Sequence, residues 1–206
     1  MLGMIGKKLG MTRIFDENGM MVPVTVIQTG SCLVTQVKTV KSDGYNALQV
    51  GFGVRKEKNV PKPLLGHLAK VKGYCPEALG EFRLEDVSGF EVGQEIKVEI
   101  FSAGEGVNVR GVTKGRGFQG VVKRHHCAGG DEGHGCDSKR VPGSVGASAD
   151  PSRVLKNKRL PGHHGNTFLK VLNLKVAKVD SDHGYLFVRG AVPGPASGLV
   201  TVWKNK

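Results

Sequence analysis

Alternating hydrophobic and polar residues are the main pattern in this sequence, and they predict β-strands over most of the chain. Leu48, Val50, Phe52 and Val54 alternate with polar or small residues, which is the period of a half-buried strand. Similar strand-like runs occupy residues 10–15, 20–28, 32–40, 95–100, 168–179, 185–189 and 199–203. Many short strands separated by turn residues favour a mainly β fold built on a closed or nearly closed antiparallel barrel.

The first two strand-like runs are predicted to form a hairpin. Residues 16–19 between them read Asp-Glu-Asn-Gly, and Asn-Gly is a strong signal for a tight hairpin turn. Pro23 lies in the second run and has no backbone N–H to donate. We therefore expect Pro23 at a sheet edge or at the start of its strand.

One stretch has helical spacing. In residues 63–72, four aliphatic side chains recur three to four positions apart, and Gly73 follows them. This spacing predicts a short helix with Gly73 as its C-cap, inserted between barrel strands. Its outward face would carry Lys62, His67, Lys70 and Lys72.

The charge is distributed unevenly along the chain. The 206 residues include 30 Lys and Arg against 18 Asp and Glu, a net charge of +12. Residues 108–165 alone hold a net +7, with twelve glycines and one aromatic residue, Phe118. Such a segment cannot bury enough apolar surface to offset the entropy of ordering it. We expect it to be mobile in water and to be ordered by an anionic partner.

The sequence therefore predicts one folded domain and one long segment without a hydrophobic core. We assign residues 1–107 and 166–206 to the β-barrel domain, with a small helical insertion at about residues 55–90. Residues 108–165 form a long extended basic loop in this interpretation.

Secreted and membrane-spanning classes are disfavoured. Residues 1–13 contain three glycines and lack the apolar core and cleavage site of a signal peptide. No run approaches the roughly 18 apolar residues of a membrane-spanning helix. Four widely spaced cysteines at 32, 75, 127 and 136 fit reduced thiols in a cytosol better than a disulfide framework.

Residues 115–120 read Gly-Arg-Gly-Phe-Gln-Gly and satisfy the G-x-G-x-x-G pattern. A dinucleotide site also needs a buried strand before the pattern and a helix opening at it, and residues 121–126 are too basic for a helix packed on a sheet. A loop that contacts RNA explains the residues better, because glycine allows close backbone approach and interleaved cations meet phosphates. The alternative is a basic loop that contacts only solvent, but no interaction would then offset the entropy lost by ordering it.

Neither metal binding nor catalysis has a convincing pattern here. Histidines and cysteines are plentiful (His125, His126, Cys127, His134, Cys136, His163 and His164), but they lack paired zinc-ligand spacing. Ser144 and Ser148 lie near Asp150 without a nucleophile elbow. We therefore predict no enzyme activity, no cofactor and no metal, and we interpret the histidines as polar side chains that face RNA.

A longer motif resembles a known family. The spaced residues are Phe101, Asn108, Gly111, Thr113, Gly115, Arg116, Gly117, Gly120 and Arg124, reinforced by residues 6–13, 140–144 and 189–194. At these spacings the chain resembles the ribosomal protein L3 family of the large ribosomal subunit, in its compact bacterial form.

The resemblance implies a translation-protein-type antiparallel β-barrel with a small α+β insertion and a long extended basic loop. It also implies direct binding to 23S ribosomal RNA near its 3′ end, early entry into assembly, and an extension that reaches towards the peptidyl-transferase centre with residues 143–151 at its tip. Neighbouring large-subunit proteins would be further partners, in a cytoplasmic ribosome, with no membrane and no small-molecule substrate. The tip holds no glutamine, so the methylation known for some relatives is not carried over.

The predicted RNA-binding residues combine both lines of reasoning. They are Lys7, Lys8, Arg13, Arg110, Lys114, Gly115, Arg116, Gly117, Lys123, Arg124, His125, His126, Lys139, Arg140, Gly143, Ser144, Ser148, Arg153, Lys156, Lys158, Arg159, His163 and His164. The alternative functions are a small β-barrel enzyme or chaperone that acts on RNA, and a zinc-stabilised basic module.

Overall fold

The structure, a computed structural model, describes residues 2–71 and 73–205. Its strands are β1 (Gly3–Phe15), β2 (Met21–Gln28), β3 (Cys32–Lys38), β4 (Ala47–Phe52), β5 (Ala78–Arg83), β6 (Glu95–Ile96), β7 (Gly106–Val112), β8 (Phe118–Gln119), β9 (Gly162–His163), β10 (Phe168–Asp180), β11 (Tyr185–Arg189) and β12 (Leu199–Lys204). Its α-helices are α1 (Val40–Asp43), α2 (Lys62–His67) and α3 (Val121–His125). The mainly β class is therefore confirmed. No helix in the described residues is long and apolar enough to cross a membrane.

Six strands form a closed antiparallel barrel in the order β1-β12-β7-β10-β11-β2, which confirms the predicted architecture. The two longest strands join different neighbours along their length. Residues 3–7 of β1 pair with β12, and residues 7–15 pair with β2. This stagger lets tilted strands close into a barrel. Fully buried aliphatic side chains, among them Met4, Ile27, Val109 and Leu186, lie in its core.

The predicted first hairpin is confirmed, because Phe15 pairs with Met21 across residues 16–20. The expected edge position of Pro23 is wrong, since β2 lies between β1 and β11. Gly190 donates to the Pro23 oxygen at 2.9 Å, and the pairing of β2 with β11 begins at the next residue, Val24. The N and O atoms of a strand residue point to the same neighbour, so the absent N–H of Pro23 removes only a bond to Gly190, beyond the end of β11. The oxygen of Gly190 accepts from Oγ1 of Thr25 at 2.7 Å instead.

A second sheet has the order β5-β4-β3-β6. The strands predicted over residues 32–40 and 48–54 belong to this sheet and not to the barrel, and they end earlier than predicted, β3 at Lys38 and β4 at Phe52. The predicted strand over residues 95–100 is also wrong beyond Ile96. There Val98–Ile100 form a single 3₁₀ turn, in which Phe101 donates to the Val98 oxygen at 3.0 Å.

The predicted helix over residues 63–72 is shorter than its hydrophobic pattern. Helix α2 ends at His67, and Leu68 is its C-cap, with its N–H bonded to the oxygens of Gly66 and Leu64. Leu68 and Val71 are nevertheless buried, which explains the apolar spacing. Gly73 is not the C-cap, and Lys72 lies outside the described residues.

The chain divides into two compact units, Met1–Val112 with Phe168–Lys206, and Thr113–Thr167. The second unit, called the basic arm below, contains the β8–β9 pair and α3. Residues 108–112, which the charge pattern assigned to the basic loop, lie in β7. They belong there because β7 pairs with both β10 and β12 to complete the barrel.

Candidate nucleic-acid interface

The basic arm has almost no core of its own. All of its residues are described, and Val121 is the only one that is buried. Residues 128–159 are all exposed except for Cys136. The arm carries ten Lys and Arg against four Asp and Glu, and every one of these cations except Arg124 is exposed. Its surface is therefore basic along its whole length.

Two segments, residues 113–119 and 162–167, form the neck of the arm. Thr113 donates from its N–H to the oxygen of Thr167 at 2.9 Å, and Arg116 donates to the oxygen of His164 at 2.9 Å. Phe118 and His163 are cross-strand partners in the β8–β9 pair. These backbone bonds hold the segments antiparallel, although about 45 residues separate them along the chain.

Gly165 is required at the neck for two reasons. Its φ is +74°, in the left-handed region that side chains disfavour. A Cβ at this position would lie 2.1 Å from the oxygen of Lys114 and 3.1 Å from the Cα of Gly115. Only glycine lets the two segments approach this closely.

Arg124 bonds to the returning segment of the arm. Its Nη1 donates to the oxygen of Leu160 at 2.7 Å, and Nε2 of His125 donates to the same oxygen at 3.2 Å. A Cβ on Gly162 would lie 2.6 Å from Nη1 of Arg124, so the guanidinium also packs against this glycine. Arg124 therefore positions the arm in addition to supplying charge.

His164 lies within a group of cations. Nη1 of Arg116 is 3.3 Å from Nε2 of His164, and because a guanidinium can only donate, Nε2 is the acceptor and carries no proton. Burial lowers the pKa of His164, and the positive charges of Arg116, Arg124 and the neighbouring histidines lower it further. The structure thus brings Arg116, Arg124, His125 and His126 around His164.

The remaining predicted residues of the arm are not gathered into one site. Lys114, Gly115, Gly117, Lys123 and His163 are exposed at or beside the neck, and Lys139, Arg140, Gly143, Ser144, Ser148, Arg153, Lys156, Lys158 and Arg159 are exposed farther along. Residues 126–161 form neither helix nor strand. Ser144 donates from Oγ to the oxygen of Gly146 at 3.1 Å, a local turn contact.

Four predicted residues lie on the barrel, and they differ in role. The ammonium of Lys8 donates to the oxygens of Val192 and Gly194 at 2.7 and 3.1 Å, so it joins two motifs of the sequence, residues 6–13 and 189–194. Lys7 is half-buried in β1, and Arg13 is exposed there. Arg110 is exposed on β7, and its Cζ lies 4.0 Å from the ring centroid of Phe168.

Lys170 was missed by sequence reasoning. It is exposed on β10 and lies directly opposite Arg110 in the β7–β10 pairing. The two residues are 60 positions apart, and no motif links them. Only the strand register shows that they form a pair of adjacent cations.

The G-x-G-x-x-G pattern is followed by a helix, contrary to expectation. Helix α3 begins after Gly120 and buries Val121, so its basic residues did not prevent one helical turn. Strand β8, which precedes α3, is two residues long and pairs antiparallel with β9 alone. This is not the parallel strand and long helix of a dinucleotide fold. No group of three or more metal-ligating side chains comes together within residues 2–71 and 73–205.

Comparison with protein-family models matches residues 87–184 to the family described as Ribosomal protein L3. The matched segment contains β7, the complete basic arm and β10. The chain belongs to the ribosomal protein L3 family. The resemblance found in the sequence motifs is thereby confirmed. Members of this family are structural proteins of the large ribosomal subunit and not enzymes, so membership implies that the chain associates with ribosomal RNA and ribosomal proteins in that subunit.

Proposed function

We propose that this chain binds 23S ribosomal RNA directly, near the 3′ end, and joins the large subunit early in assembly. In this proposal the barrel lies on the RNA surface in the cytoplasmic ribosome, beside other large-subunit proteins. The basic arm reaches towards the peptidyl-transferase centre. The observation that carries the proposal is an arm of 55 residues with a single buried side chain and nine exposed cations.

The physical mechanism is charge neutralisation. A segment without a core gains no hydrophobic stabilisation to offset its conformational entropy, so packing against an anionic wall must supply the difference. Lys and Arg release condensed counterions when they meet phosphates. Six to ten such contacts would lower the affinity by about 10³–10⁵ between 50 and 200 mM salt, on the calibration for duplex DNA. Shape and 2′-hydroxyl groups would supply most of the specificity.

Sedimentation of the chain with ribosomal particles tests the proposal. We expect the full chain to travel with large subunits and their precursors, and to be released by ribonuclease or by about 1 M salt, where screening extends only about 3 Å. Chemical probing of 23S RNA should then show protection near the 3′ end. Sedimentation as free protein, or catalytic turnover of RNA by the isolated chain, would favour the RNA-acting enzyme or chaperone instead.

A further inference from the structure

A groove on the barrel unit offers a second place for RNA. It has a volume of about 450 Å³, within the range of roughly 300–1,000 Å³ typical of ligand pockets. Its floor includes Arg110, Lys170, Thr201 and Trp203, and its wall includes Glu81 and Arg83 of β5. We call it the Trp203 groove. Apart from Arg110, none of these residues has an RNA-binding role predicted from the sequence.

The floor is a row of side chains on one face of the barrel. Arg110 lies opposite Lys170 on one side and opposite Thr201 on the other. Directly opposed residues on paired strands share a face, and Trp203, two residues from Thr201, lies on that face as well. Two adjacent cations therefore share one face of the barrel with an indole that is half-buried.

Both guanidiniums of the groove are held against aromatic rings. Arg110 stacks on Phe168, and Cζ of Arg83 lies 4.8 Å from the ring centroid of Tyr45. Stacking on Phe168 fixes the plane of the Arg110 guanidinium and leaves its edge free to donate to a phosphate. Within the described chain, the side chains of Arg110 and Lys170 make no hydrogen bond or ion pair, so their side-chain donors are open to a ligand.

The two carboxylates of the groove do not reverse its charge. Glu81 accepts from Nζ of Lys38 at 2.5 Å and from the Tyr45 hydroxyl at 3.0 Å, and Lys38 and Tyr45 lower the pKa of Glu81. Glu85 is the only other acid of the lining. Arg83, Arg110 and Lys170 leave the groove with a positive balance, which an anionic ligand complements.

We propose that the Trp203 groove binds a single-stranded segment of RNA. Arg110 and Lys170 hold backbone phosphates, and one unpaired base stacks on the indole of Trp203. Cations beside an aromatic face are the features that bind single strands without reading sequence. This inference rests on the proposed function, because it adds a second contact region for the same kind of ligand.

Trp203 is the only tryptophan of the chain, so its fluorescence reports on this groove alone. The full chain is titrated with fluorescein-labelled decauridylate, and anisotropy and tryptophan emission are recorded together. We expect binding to quench the emission. Polyphosphate, which has charge but no base, should compete without quenching. If decauridylate binds but leaves the tryptophan emission unchanged, the proposal that RNA binds in the Trp203 groove is wrong. Salt-sensitive binding to 23S RNA would in that case still support the proposed function.

Substitutions separate the groove from the basic arm. Arg110→Ala and Lys170→Ala should each weaken the quenching titration about five- to tenfold at 50 mM salt, as expected for a lost charge-assisted contact. Lys178→Ala is the matched control, because Lys178 is exposed on the same strand as Lys170 but lies outside the groove. Equal midpoints for Lys170→Ala and Lys178→Ala would refute the proposal. Circular dichroism confirms that each variant is folded.

Discussion

The guanidinium of Arg124 donates to the oxygen of Leu160 at 2.7 Å, across 36 residues of a basic arm that has almost no core. A cation that the sequence marks as a phosphate contact therefore also holds two segments of the protein together. His125 donates to the same oxygen. Hydrogen bonds from α3 to Leu160 therefore hold two segments of the arm together. Substitutions can test separately whether a nearby cation positions the arm or only supplies charge.

Arg124→Ala should weaken RNA binding by more than the loss of one charge. The change removes a hydrogen bond from a charged donor, worth about 1.5–3 kcal/mol where it is buried and less at this half-buried position. Lys123→Ala is the control, since Lys123 is the exposed neighbour in α3. Affinity for 23S RNA and amide exchange at residues 160–164 are measured. Faster exchange in Arg124→Ala alone supports positioning, and equal exchange in both variants would contradict it.

Arg116→Ala tests the counterion mechanism. Arg116 is exposed at the neck, and the loss of one phosphate contact should lower the slope of log affinity against log salt by about one. Arg55→Ala is the control, because Arg55 is an exposed arginine of the barrel unit outside the proposed interface. An unchanged slope for Arg116→Ala would place this side chain in solvent in the complex.

RNA binding should raise the pKa of His164, which is lowered in the free chain. In the free chain, burial and the adjacent cations lower its pKa below the ordinary value of about 6.5. The unfolded arm then binds more protons than the folded arm as the pH falls below about 6.5, so acid weakens the neck. Phosphates near Arg116 would favour the imidazolium and raise the pKa, so RNA binding takes up a proton.

Nuclear magnetic resonance titration of the His164 ring measures both values. We expect a midpoint below 6.5 in the free protein and a higher midpoint in the RNA complex. A His164 midpoint that RNA leaves unchanged would exclude phosphates from this part of the neck.

Gly165→Ala should disrupt the neck. The new Cβ would meet the Lys114 oxygen, and the residue would keep a positive φ, which alone costs about 1–2 kcal/mol. Gly120→Ala is the control, because a Cβ there meets no atom within 4 Å and its φ is −69°. We expect amide exchange at residues 113–119 to increase, and RNA affinity to fall, only in Gly165→Ala. Wild-type exchange in that variant would show that the neck is not closed as described.

The barrel unit should fold without the arm. Thr113 and Thr167 form a hydrogen-bonded pair, which is the pair that a two-residue type I′ turn can close. Replacing residues 114–166 with Asn-Gly should leave cooperative thermal unfolding and reduce both RNA affinity and its salt slope. Loss of cooperative unfolding would show that the arm supports the barrel core. Deletion of residues 108–165 is a poor alternative, because it removes most of β7.

The candidate interface was partly readable from the sequence. Arg110, Arg116 and Arg124 stand in a segment whose charge and glycine content already separate it from the rest of the chain. Lys170 could not be predicted as an RNA contact, because it belongs to a regular strand. The register that places it opposite Arg110 cannot be deduced from the residues of β7 or of β10. Lys8 is a cation in a basic motif, which predicts an RNA contact, yet its ammonium donates to two carbonyl oxygens of the protein.

The sequence by itself determined the properties that depend on neighbouring residues. Alternation indicated most of the longer strands, although it did not indicate β5 or β7. Asn-Gly at 18–19 specified the first hairpin, and the shortage of apolar residues specified an arm without a core. Only the tertiary structure decided which strands close the barrel and which form the second sheet, because a period of two gives each strand two faces but does not name its partners. The same holds for Arg124 and Leu160: a bond between distant residues exists only once the chain has brought them together.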